Sequence, residues 1–291
     1  MSELYSLLIA PFVEFAFMRR ALAGVVALSV GAAPVGVFLM LRRMSLVGDA
    51  MACAILPGAA IGYLLFGLAV LPMTFGGLVV GVFVAVAAGF VARTTVQLED
   101  ASLAAFYLIS LSLGVAIISI RGSSVDLMQV LFGSVLAIDD TSLMVLGASA
   151  TVTLLTLAVI YRALVAECVD QAFLRAVGGP SAATHFAFLV LVVVNLVAGF
   201  LALGTLLAVG LMMLPAAAAR FWVRGLGATL ALSIALALAA SISGLLISYY
   251  VTIASGPAIT LVAGFIYIAS LVVGREAGWV VGLKPQKHRV A

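Results

Sequence analysis

RRMSLVGDAMACAILPGAAIGYLLFG, residues 42–67, opens on two arginines and then stays apolar to its end, except for one carboxylate, Asp49, and one thiol, Cys53. A helix that crosses the hydrocarbon core of a bilayer needs about 20 mostly apolar residues. Residues 50–67 come close to that length and carry no charge. The stretch therefore reads as a membrane span with a basic entrance. Asp49 and Cys53 are four residues apart, so on a helix they lie one above the other on the same face.

The rest of the chain has the same character. Of its 291 residues, 66% are hydrophobic and 9% charged, whereas a soluble domain carries roughly 45–50% apolar and about 25% charged residues. No soluble core could bury so much apolar surface, so the remaining solvent is lipid. Further apolar runs fall at residues 22–41, 72–92, 102–120, 141–161, 185–203, 205–219, 226–249 and 257–274, of which 205–219 is short enough to be half-buried. Residues 4–18, interrupted by Pro11 and Glu14, read as an interfacial or re-entrant helix. Only helices and closed barrels cross lipid, and no run alternates as barrel strands do. The expected fold class is all-α, a polytopic transmembrane helical bundle of about eight to nine spans. Residues 1–291 form a single membrane domain in this reading.

Loop charges orient the bundle, because Lys and Arg mark cytoplasmic loops. The basic tail KPQKHR, residues 284–289, puts the C-terminus inside. Counting back places Arg220 and Arg224, the loop at 162–184, Arg93 and Arg42–Arg43 inside as well. The loop at 121–140, with Asp126, Asp139 and Asp140, falls outside, and Arg19–Arg20 stand as the exception. A net charge of +3 is too small to argue for nucleic acid. Cys53 and Cys168 lie in separate segments and form no disulfide framework. The first residues lack a basic leader and a small-residue cleavage site, so a removed signal peptide is not expected.

No Gly-x-x-x-x-Gly-Lys-Ser/Thr loop for ATP is present, and the chain reads as a transport subunit rather than an enzyme. Work against a gradient would draw on a partner or on an ion. Ion-coupled secondary transporters usually carry ionisable groups at mid-span, and the middles of the last five spans hold none.

Residues 167–179, ECVDQAFLRAVGG, are amphipathic: Ala172, Phe173, Ala176 and Val177 recur at helical spacing, and Gly178–Gly179 make a natural stop. A helix lying on the membrane surface and a docking helix for a cytoplasmic motor subunit both fit. Asp49 follows Gly48 ahead of an apolar run, where an N-cap belongs, and Cys53 fits as a small buried hydrophobe. The pair also fits as metal ligands. Two copies in a symmetric dimer would supply four donors, which suits tetrahedral Zn²⁺, whereas manganese prefers oxygen-rich octahedral sites. A bound cation would help the thiol ionise. His185 and His288 are the only histidines, one at a span entrance and one in the tail, so no histidine-rich site is expected within the membrane. Asn195 lies mid-span, placed to bond a neighbouring helix. Glu99–Asp100 begin a span and suit a helix N-terminus. Pro57–Gly58, Pro215 and Ser255–Gly256–Pro257 read as kinks and helix starts.

The stretches RRMSLVGDAMACAILPGAAIGYLL, DLMQVLFGSVLAI, VGLMMLPAAAAR and SYYVTIASGPAITLVAGFIYIASLV closely resemble, in collinear order, the permease subunits of the ABC importers for zinc, manganese and iron. The resemblance implies a multi-pass subunit of the inner (plasma) membrane that binds no permanent cofactor. It also implies a cytoplasmic ABC ATPase, an extracytoplasmic metal-binding protein and a second permease copy as partners. Asp170 to Gly178 resembles the family's Asp-Pro-x-x-Ala-x-x-x-Gly segment, with Gln171 for the proline and Leu174 for the alanine. This implies an ATPase-coupling role for Asp170, Phe173, Leu174 and Gly178. The family's Gly-Asp-x-x-x-His motif aligns its acid with Asp49 and its histidine with Cys53, which implies a metal pathway past both residues. The transported substrate expected is a divalent metal ion, zinc first and manganese or iron second. The competing expectations are an ion-coupled secondary transporter and an ABC permease for a larger chelate such as a siderophore or cobalamin.

Overall fold

Within hydrocarbon a peptide N–H can bond only to its own segment, so runs of Leu, Ala, Val and Gly wind into helices. The computed structural model describes residues 10–67, 69–95, 99–120, 138–170, 174 and 178–276. In chain order the helices are α1 (Ala10–Glu14), α2 (Ala16–Leu41), α3 (Val47–Ala54), α4 (Leu56–Phe66), α5 (Val70–Thr94) and α6 (Glu99–Ile120). They continue with α7 (Asp140–Val169), α8 (Ser181–Leu203), α9 (Thr205–Ala219), α10 (Leu226–Val251) and α11 (Ser255–Val273). Among the described residues, eight stretches are long and apolar enough to span a membrane, with α3 and α4 together making one of them; α9 is apolar but shorter. The all-α bundle of about eight to nine spans is what the sequence predicts.

Local chemistry sets the breaks. Pro57, in the first turn of α4, lacks an N–H for the preceding turn, so the second span bends at Ile55. Gly204, at φ 96°, makes the turn that reverses α8 into α9, a conformation that a side chain would resist. Asp139 caps α7, its carboxylate accepting from the Ser142 N–H at 3.0 Å. Hydrogen bonds from Ser142 hold the Asp139 carboxyl below the ordinary carboxylate range.

Two boundaries differ from the sequence reading. Helix α2 starts at Ala16, and among the described residues only α1 precedes it; residues 4–9 of the expected 4–18 helix lie outside the described residues. Helix α7 runs to Val169, not to residue 161. Glu167 and Cys168 therefore end a span and do not begin a surface helix. The apolar run ALVAECV continues past Arg162, and packing extends the helix through it.

The bundle has an inner and an outer layer. In α2 and α8, 72% of the most apolar window is buried, against 22–33% in α5, α6, α7, α10 and α11. Helix α9 is also inner, packed against α2, α10 and α11. Phe75, Phe83 and Phe90 of α5 and Leu261, Phe265 and Ile268 of α11 are exposed on the outside, where lipid is their solvent.

Lipid gives helices no hydrophobic reason to associate, so close van der Waals approach and polar contacts do the work. Helices α4 and α5 meet backbone to backbone at Gly58 and Gly76. A Cβ on Gly58 would fall 2.1 Å from the Gly76 carbonyl oxygen. Asn195 of α8 donates to the Thr153 hydroxyl of α7 at 2.7 Å, the interhelical bond expected of it. Ser29 and Ser241 join α2 to α10 at 3.1 Å.

Gly58→Ala should destabilise the bundle by about 1–3 kcal/mol, the usual range for overpacking. Gly264→Ala, where an added Cβ meets nothing within 4 Å, should be tolerated. Thermal unfolding of both purified variants in detergent checks the contrast; equal midpoints would refute the close-crossing account.

Candidate functional site

Antiparallel spans bring the α2–α3 turn, the C-termini of α5, α7 and α9, and the N-termini of α6 and α8 to one end of the bundle. Arg42, Arg43, Arg93 and Arg220 lie at this end. Arg20 belongs to the opposite end, where it pairs with Asp140 at 3.1 Å. That pairing gives the exception in the charge count a physical partner.

The turn from α2 to α3 is tightly specified. Arg43 takes a left-handed conformation, φ 58°. The Met44 N–H bonds the Leu39 carbonyl at 2.9 Å, and the Arg43 N–H bonds the Met40 carbonyl at 3.1 Å. This is the Schellman pattern that ends a helix. Met44 and Val47 are buried beneath it. Helix α3 then starts with Leu46 as its N-cap residue and no side-chain cap bond. Asp49 is the third residue of α3, not its cap, so the capping reading is corrected. Its carboxylate makes no hydrogen bond or ion pair among the described residues. A negative charge in the first turn still favours the helix N-terminus.

Asp49 is exposed and Cys53 half-exposed, and Leu46 is exposed on the same face. This stripe at i, i+3 and i+7 is the open side of α3, while Val47, Met51 and Ala54 are buried in the core. Asp49 also lines a pocket of about 170 Å³ between α3 and α6, together with Asp100, Tyr107 and apolar Leu46, Val47 and Leu103. Cys53, one turn farther on, is not on its wall. Two carboxylates thus face one small space with no Arg or Lys lining it, an arrangement that attracts a cation. Asp100 reads from sequence only as a helix-start charge; nothing in the chain order signals that α6 packs beside α3. Among the described residues, no three His, Cys, Asp or Glu side chains gather closely enough to hold a metal within one chain.

The segment after α7 carries the other predicted residues. Asp170 ends α7 with an extended backbone. The Leu174 N–H donates to the Asp170 carbonyl at 3.2 Å, and the Leu174 carbonyl accepts from the Gly179 N–H at 2.9 Å. Gly178 has φ 75°, the conformation with which a glycine stops a helix. Phe173 lies outside the described residues.

Sequence reading missed a buried ionic cluster at the base of this segment. The Glu167 side chain is fully buried; its Oε1 forms an ion pair with Arg42 Nη2 at 2.8 Å and accepts hydrogen bonds from Arg93 Nη2 at 3.3 Å and from the Ser181 hydroxyl at 3.3 Å. The Arg42 guanidinium stacks over Phe188 at 5.2 Å and that of Arg93 over Phe186 at 5.6 Å. His185, buried in the same turn of α8, packs edge-on to Phe186. One carboxylate therefore ties α7 to α2, α5 and α8.

The family model described as the ABC 3 transport family matches residues 14–274. The chain belongs to that family. It is 31% identical over 261 residues to the manganese import system permease protein ScaB of Streptococcus parasanguinis, covering 89% of this chain and 91% of the relative. It is 28% identical over 289 residues to the chelated iron transport system membrane protein YfeD of Yersinia pestis, covering 99% and 93%. Among solved structures, PsaBC from Streptococcus pneumoniae in complex with Fab superposes with a TM-score of 0.81 at 29% identity, over 95% of this chain and 98% of that one. The protein is a multi-pass permease subunit of an ABC transporter in the inner membrane.

Two carboxylates in this family member should respond very differently to mutation because of their burial. Glu167→Ala leaves two largely buried arginines without their shared partner and should cost about 3–5 kcal/mol. Asp49→Asn, at an exposed position with no bonded partner, should lower the thermal midpoint only slightly, since a first-turn charge contributes under about 1 kcal/mol. Unfolding scans of both variants at one pH check the pair.

Proposed function

We propose that this permease carries a divalent transition-metal ion inward, past Asp49 and Cys53, driven by a cytoplasmic ABC ATPase and supplied by an extracytoplasmic metal-binding protein. The observation that carries this reading is the open stripe of α3, which presents an unbonded carboxylate and a thiol at i, i+4. One chain supplies too few donors there for a metal cage. A second copy meeting it across that stripe would double them to two carboxylates and two thiols. The names of the relatives, which import manganese or chelated iron, support a metal as substrate. The arginines at the end shared by Arg42, Arg93 and Arg220 support a cytoplasmic position for that end.

A sulfur donor favours zinc as the ion. Manganese is the second reading, favoured by the names of the relatives and by the carboxylate of Asp100 on the Asp49 pocket, since manganese prefers oxygen ligands. Of the 162–184 stretch, the part between α7 and α8, residues 170–180, is the ATPase-coupling segment in this reading, with Asp170, Phe173, Leu174 and Gly178 in it. The positive φ of Gly178, 75°, supports a chain reversal where that segment leads into α8.

Uptake of zinc and of manganese by the importer in proteoliposomes tests the pathway. Asp49→Asn should assemble normally and transport poorly. Cys53→Ser should weaken zinc uptake, since a neutral hydroxyl is a poor zinc ligand, and Cys53→His should restore it. A tolerated serine with an inactive histidine would return Cys53 to a packing role, and wild-type uptake by Asp49→Asn would remove Asp49 from the path.

The coupling role is tested separately. Phe173→Asp should leave the permease in the membrane but break its association with the ATPase, read by co-purification. Normal assembly and normal uptake in that variant would contradict the docking role.

A further inference from the structure

Buried ion pairs are poor stabilisers, because desolvation offsets much of their attraction, and their best-attested use is to fix a geometry. The cluster around Glu167 fixes a particular one. Its carboxylate sits three residues before Asp170, and its partner Ser181 is the first residue of α8. Both ends of the segment at 170–180 are thus pinned to the same oxygen atom, Glu167 Oε1. The shortest contact to that oxygen comes from Arg42 at 2.8 Å, the residue that closes α2.

From Arg42 the chain reaches Asp49 through the hydrogen-bonded turn described above. That turn has little freedom. Arg43 is held in the left-handed region, Met44 and Val47 are buried, and the Val47 N–H bonds the Met44 carbonyl at 3.2 Å. The flat face of the Arg42 guanidinium is also fixed by the Phe188 ring. A shift of Glu167 would therefore move Arg42, and Arg42 would carry the start of α3 with it. Arg93 shares the same oxygen at 3.3 Å but ends α5, which contains no part of the Asp49 turn.

We infer that Glu167 and Arg42 are positioning residues that transmit movement of the 170–178 segment to Asp49, so that ATPase motion reaches the metal path. This rests on the reading of that segment as the coupling loop. Energetic coupling travels through packed chains of ion pairs and hydrogen bonds of this kind. The cluster is contiguous from the loop base to the first turn of α3.

The test uses the complete importer, permease with its ATPase and binding protein, in proteoliposomes supplied with zinc or manganese. The readout is metal ions transported per ATP hydrolysed, alongside co-purification of the ATPase. Glu167→Gln keeps the size of the side chain and its bond from Ser181 but loses the charge that holds Arg42. It should lower the transport-to-hydrolysis ratio by at least about fivefold, the lower end of typical coupling between sites, while the ATPase stays bound. Arg42→Gln should do the same, Arg42→Lys should recover part of the ratio, and Arg93→Gln should change it far less.

Should Glu167→Gln fail to accumulate, Glu167→Asp carries the same test, since it keeps the charge but draws the oxygen back by one methylene. An unchanged ratio in the Arg42 and Glu167 variants would overturn the inference, as would Arg93→Gln uncoupling as strongly as Arg42→Gln. Failure of the underlying reading looks different: Phe173→Asp would then leave ATPase association intact, whatever the cluster variants do.

Discussion

Every peptide group inside the bilayer must find its hydrogen-bond partner within its own segment, and the organisation of this protein follows from that constraint. Once each run is a complete helix, the helices share no hydrophobic reason to associate, because lipid is as apolar as leucine. What remains is close approach and a few polar bonds. The Gly58–Gly76 crossing, the Asn195–Thr153 bond and the Ser29–Ser241 contact supply them. Each draws a span toward a neighbour.

The same constraint concentrates charge at the ends of the bundle, where water is near. Of the charged residues there, Glu167, Arg42 and Arg93 are largely withdrawn from water, and they are held by one another and by two aromatic rings of α8. Their burial separates them in kind from exposed pairs such as Arg20–Asp140, which hold little energy. A buried cluster fixes helix ends in relation to each other. Here it fixes the end of α7, the beginning of α8 and the turn into α3, the three places where the proposed coupling segment and the proposed metal path meet.

Asp49 and Cys53 stand apart from that cluster on an open face. In the proposed role, an acid–thiol pair with one side open suits a transport path better than a storage site, since an ion must leave as readily as it arrives. The Asp100 carboxylate in the adjoining pocket adds negative charge at the arginine-bearing end, on the same side of α3 as the path proposed for the ion. The family relationship makes the chain a permease, and the eight apolar stretches fit it; the thiol of Cys53 makes the proposed choice of metal a question about this chain in particular.

Much of this was legible in the sequence because the signals are local. Run length, apolar content, Pro57, Gly178 and the spacing of Asp49 and Cys53 depend only on neighbours in the chain, and a helix in lipid forms from its own residues. That is why span number, fold class and the shared face of the α3 pair could be read directly. The end of α7 could not, because Arg162 looks like the edge of a span until Glu167 is seen to find buried partners from α2, α5 and α8. Nor could the meeting of Asp49 with Asp100, or the true N-cap at Leu46. Those depend on which helices pack together, and contacts between residues as far apart as Arg42 and Glu167 are decided by tertiary packing alone.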